Sequence, residues 1–119
     1  MIRTIRLFLA LEALAFTKAA LIHAGFLISG YEHYQARIAE SIIATVLVAG
    51  LVVSLARPSA TRLGALVAQG FALVATSVGV FTIIVGVGPR TVPDVIYHVV
   101  IVAVLLVGLV VAARAPARQ

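Results

Sequence analysis

Of 119 residues, 63% are hydrophobic and 11% are charged, against roughly 25% charged in a soluble domain, and the mean hydropathy of +1.20 excludes a water-soluble globule in favour of a chain solvated by lipid. The formal net charge of +5 sits on basic residues scattered at segment ends, which excludes the continuous patch that nucleic acid needs. With no cysteine there is no disulfide, thiolate metal site or C-x-x-C motif, so electron transfer would call for a bound cofactor.

The first long apolar stretch runs from about Leu7 to Ser29, more than the roughly 20 residues that a membrane-crossing helix needs. It carries Glu12 and Lys18 and lacks a small-x-small cleavage site, so it reads as a span and not as a signal peptide. Glu12, Ala15, Phe16, Ala19 and His23 fall on one helical stripe, which is expected to face other helices. Lys18 lies off that stripe near the membrane midplane, too deep to reach water, and calls for a partner such as Thr76 or Ser77, a lipid, a cofactor or a second subunit, or for a cavity.

A polar corner follows, with Tyr31, Glu32, His33, Tyr34 and Arg37 leading to Glu40. Arg37 and Glu40 stand one turn apart and are expected to pair at the entrance of the second helix. The tyrosines read as an aromatic belt at the headgroup level, and Glu32 and His33 as solvated loop residues.

The second span extends from about Ile38 to Ala56 and ends at "ARPSATR", where Ser59 or Thr61 is the expected cap of the third, Leu63 to Gly88. On the third, Gln69 is level with Glu12 and is expected to share a hydrogen bond with it, while Gly70, Gly79 and Gly86 read as close-packing positions. "GVGPRTVPD" contributes Arg90 and a capping box, with Thr91 as cap, Pro93 in the first turn and Asp94 at the third position. The fourth span, Val95 to Ala113, carries Tyr97 and His98 near its start, where Asp94 is placed to orient His98.

Short links make neighbouring helices antiparallel, so the expected fold is all-α: one transmembrane domain over residues 1–119, an integral membrane four-helix bundle in up-down-up-down order. Arg3, Arg6, Arg57, Arg62, Arg114 and Arg118 collect on one side and only Arg37 and Arg90 on the other, which places both termini in the cytoplasm of a plasma (inner) membrane. His23, Glu32, His33, Arg37, Glu40, Arg90, Asp94, Tyr97 and His98 then meet at the outer face.

Residues 39–75, "AESIIATVLVAGLVVSLARPSATRLGALVAQGFALVA", resemble the middle of DoxX-like small membrane proteins, in which an acidic residue opens a glycine- and leucine-rich second helix and a basic turn leads into the third. The lysine expected after the first helix of such proteins has no counterpart, since Lys18 falls inside helix 1. The resemblance implies a membrane subunit beside quinone-linked or sulfur redox enzymes.

Three functional readings follow. The preferred one is an accessory or anchoring subunit whose outer cluster binds a quinone headgroup or another membrane or periplasmic protein. A second is a metal or haem site on His23 and His98 with Glu40 as a third ligand. A third is a small transporter or channel lined by Glu12, Lys18 and His23, within one chain or a homo-oligomer. No G-x-S-x-G, H-E-x-x-H, P-loop or dinucleotide motif commits the chain to a reaction, so the accessory reading is preferred to an enzyme.

Overall fold

The protein is described by a computed structural model over residues 1–117, leaving Arg118 of the basic set outside the described residues. Four α-helices follow in order: α1 (Ile2–His23), α2 (Tyr34–Ala56), α3 (Thr61–Ile84) and α4 (Val92–Arg114), with a single 3-10 turn at Pro58–Ala60. Among the described residues there is no strand. The segment of α2, that of the 3-10 turn with α3, and that of α4 are each long and apolar enough to cross a membrane. The helix α1 has a similar 22 residues but carries Arg3, Arg6, Glu12 and Lys18.

Apolar residues surround these helices on every side, so the core is selected by size as well as hydrophobicity. Leu14, Val74 and Val99 are as exposed as 68% each, while the interior is built from Leu9, Leu47 and Leu105 set among Ala44, Ala65, Ala68 and Ala72. Small residues let helix backbones approach where no hydrophobic gain is available in lipid. At Gly50 the approach of α2 to α3 leaves no room for a side chain, because an added Cβ would stand 2.7 Å from the Ala68 Cβ. On α1 the expected stripe is inward: Glu12, Phe16, Ala19 and His23 are buried and Ala15 is half-buried.

Helix ends depart from the hydropathy pattern for local reasons. The first helix stops at His23 and not at Ser29, because Gly25 (φ +82°) turns the chain into the left-handed region, where the Phe26 amide still reaches the Leu21 carbonyl. The third stops at Ile84, short of Gly88: Gly86 (φ +89°) reverses the chain, and the Val87 and Gly88 amides both bond the Thr82 carbonyl. Gly86 is thus a turn residue, and Gly70 has nothing within 4 Å of an added Cβ, so neither is a close-packing position.

Helix α2 begins at Tyr34, four residues before Ile38, because His33 acts as its N-cap, its Nδ1 accepting from the Ala36 amide at 3.1 Å. Helix α4 begins at Val92 with the expected capping box, Thr91 accepting from the Asp94 amide and Asp94 from the Thr91 amide. Neither Ser59 nor Thr61 caps α3; the cap position is Ala60, and the Thr61 hydroxyl pairs instead with Ser54 at 2.8 Å. Arg6 donates to the Ser54 hydroxyl at 2.9 Å and to its carbonyl, tying α1 to the end of α2.

Candidate functional site

The turn after His23 returns quickly, since the His33 amide donates to the His23 carbonyl at 2.9 Å. The end of α1 is thereby fastened to the start of α2. The His23 ring, 4% exposed, lies between two carboxylates from two other helices. Its Nδ1 stands 2.7 Å from Glu40 Oε2 on α2, and its Nε2 stands 3.0 Å from Asp94 Oδ1 on α4. One imidazole joins three helix ends, and both carboxylates are buried with it.

Each of those bonds needs one hydrogen. Either the ring supplies both, as an imidazolium between two anions, or a carboxyl group supplies one. Charge-assisted hydrogen bonds of this kind are strong where water is excluded. Asp94 serves twice: Oδ1 faces His23, while Oδ2 takes the Thr91 amide at 3.2 Å and the Thr91 hydroxyl. The capping box therefore presents a carboxylate to His23 in a fixed direction.

Other expected members of the outer cluster take different partners. His98 does not join His23 and Glu40; its Nδ1 bonds the Asp94 backbone carbonyl at 2.7 Å, one turn back, and its Nε2 faces Gly79, 3.6 Å from where a Cβ would be. Orientation of His98 thus comes from the Asp94 carbonyl and not from its carboxylate. Among the described residues no group of three or more His, Cys, Asp or Glu is arranged to hold a metal ion, so the expected His23, His98 and Glu40 ligand set is replaced by a carboxylate–imidazole–carboxylate row. Arg37 does not pair with Glu40, whose carboxylate is turned to His23; its guanidinium lies 4.8 Å over the Tyr34 ring. Glu32 folds back to accept the Gly30 amide at 2.8 Å, and Arg90 stays exposed beside Gly86.

Tyr97 is turned inward, away from any aromatic belt. Its ring meets Phe16 edge-on with centroids 6.0 Å apart and His98 at 5.4 Å. Its hydroxyl is buried without a hydrogen-bond partner, a costly state for a group that donates and accepts.

Two cavities flank the His23 row. One of about 280 Å³ lies among α2, α3 and α4 and is lined by Glu40, His33, Thr76, Gly79, Thr82 and His98. The other, a groove of about 530 Å³ between α1 and α4, is lined by Lys18, Ile22, His23, Tyr31, Asp94 and Tyr97. Lys18 is exposed on the helix surface at this groove and has no hydrogen bond to Thr76 or Ser77, whose hydroxyls bond the carbonyls of Ala72 and Leu73. The size of the groove suits one ring-sized ligand.

Deeper on α1, Glu12 and Gln69 meet as expected. The Gln69 Nε2 lies 3.0 Å from each Glu12 oxygen, and both side chains are 0% exposed. Sequence reasoning missed what makes room for them: Gly108 on α4, where an added Cβ would stand 2.6 Å from Glu12 Oε1 and closer still to Gln69 Nε2. The period of α4 offered a signal, since Ile101, Leu105, Gly108 and Ala112 form its buried face. Glu12 therefore belongs to an internal three-helix junction, on a different face of α1 from Lys18.

Comparison of the chain with protein-family models, curated proteins and solved structures returns no match.

Proposed function

We propose that the protein is a multi-pass plasma-membrane subunit: four antiparallel helices in up-down-up-down order, both termini cytoplasmic, with the His23 row and its groove at the outer face, where it holds a quinone headgroup beside a redox partner. Three spans with lipid-compatible surfaces support the membrane reading, and α1 joins them through its exposed Leu7, Leu11 and Leu14. The one acid of α1, Glu12, is buried against Gln69 and Gly108 and not on the helix surface, which supports α1 as a further span.

The observation that carries the quinone reading is the groove between α1 and α4, bordered by Lys18, the Tyr97 ring, and His23 and Asp94 of the carboxylate–imidazole row. A quinone head presents carbonyl oxygens that accept hydrogen bonds and, once reduced, hydroxyls that donate them. Lys18 has the donors for the first state, and Asp94, oriented by Thr91 and His23, is the acceptor for the second. Bound there, a quinone would supply two-electron, two-proton chemistry; the chain itself contributes orientation and a proton held at His23. The likeness of residues 39–75 to DoxX-like proteins points the same way.

Binding of a short-chain ubiquinone analogue to the protein in nanodiscs tests this reading. Saturable binding is expected, weakened about three- to ten-fold by Lys18→Gln, the worth of one hydrogen bond. Absence of saturable binding, or undiminished binding by Lys18→Gln, would overturn it.

A further inference from the structure

The opposite end of the molecule carries a separate site. There the start of α1, the 3-10 turn, the start of α3 and the residues after α4 enclose a pocket of about 360 Å³. Arg3 and Arg62 line it with Ser59, and Ile5, Pro58 and Ala115 give it apolar walls. Arg57 and Arg114 are exposed at the same end, and Arg6 is already held by Ser54.

No carboxylate side chain is near them in the fold. The four acids are Glu12, inside the helices, and Glu32, Glu40 and Asp94, at the other end. Among the described residues both ion pairs are made by His23, and none by an arginine. The Arg62 guanidinium is half-buried, and among the described residues its Nε has no partner and its Nη2 has only a long 3.4 Å contact to the Ala113 carbonyl. A desolvated guanidinium without counter-charge is costly, and a phosphate oxygen is the acceptor that matches its fork.

We infer that this pocket binds the phosphodiester of an anionic phospholipid, with Arg3 and Arg62 on the phosphate, Ser59 hydrogen-bonding the headgroup and the apolar wall against the glycerol and upper chains. A lipid is favoured over a free phosphate because the pocket is walled by apolar residues and opens at the end of helices long and apolar enough to cross a membrane. This assignment is independent of the quinone groove.

Native mass spectrometry of the full chain, released from nanodiscs of phosphatidylcholine and phosphatidylglycerol in equal amounts, tests it. Phosphatidylglycerol is expected to be retained in preference to phosphatidylcholine, with retention falling about five-fold for each of Arg3→Gln and Arg62→Gln. Arg37→Gln and Arg90→Gln make the same charge change at the other end and are expected to leave retention unchanged. Arg3 is exposed, so Arg3→Gln keeps the test valid should Arg62→Gln fold poorly. Equal retention of both lipids, or equal losses from substitutions at either end, would overturn the site. Arginine-dependent binding of glycerol 3-phosphate with no retained lipid would overturn the lipid assignment.

Discussion

At the scale of single residues, the structure distinguishes groups that sequence places on equal terms. His23 and His98 both lie near the polar corner, yet only His23 is held by two carboxylates, while His98 is satisfied by its own helix. Removing the ring should leave Glu40 and Asp94 buried without their shared partner. His23→Ala is expected to cost about 3 kcal/mol, and His98→Ala less than about 1.5 kcal/mol, in reversible unfolding from detergent; similar losses would mean that the row is not a structural centre. The glycines offer a second contrast. Gly108→Ala pushes a methyl into the Glu12–Gln69 pair and is expected to cost about 1–3 kcal/mol, whereas Gly70→Ala meets open space and is expected to stabilise α3 by up to about 1 kcal/mol. The same unfolding titration ranks both.

At the scale of helices, much was legible and the reasons for the remainder are local. Long apolar runs announce four helices, and the stripe of Glu12, Phe16, Ala19 and His23 follows from the period of 3.6 alone. The pairing of Glu12 with Gln69 was equally readable, because two polar groups at one depth have few alternatives in an apolar interior. Hydropathy does not mark where a helix stops inside an apolar run: Phe26, Leu27 and Ile28 are as oily as the helix before them, and only the positive φ at Gly25 ends it. Nor does it tell which of two histidines a carboxylate will choose. His23 takes Asp94 from 71 residues away, and this turns the Asp94 carboxylate away from His98. The Thr91 cap therefore bears on both fold and site. Thr91→Ala is expected to cost about 1 kcal/mol of stability and to weaken quinone binding in nanodiscs, because Asp94 loses the group that directs it; unchanged binding would separate the cap from the groove.

At the scale of the whole molecule, the two ends differ in chemistry. One gathers Glu40, His23 and Asp94 in a closed row beside a groove, and the other gathers arginines without acids around Ser59. On the membrane reading proposed above, this polarity sets the orientation, with the arginine end cytoplasmic. The chain has no cysteine of its own, so single cysteines report cleanly on each end. The most direct test of the account is labelling of Tyr34→Cys, Val92→Cys and Ser59→Cys, all at exposed positions, in intact cells with a membrane-impermeant maleimide. Tyr34→Cys and Val92→Cys are predicted to react from outside and Ser59→Cys only after the membrane is opened; reaction of Ser59→Cys from the same side as Tyr34→Cys would contradict it.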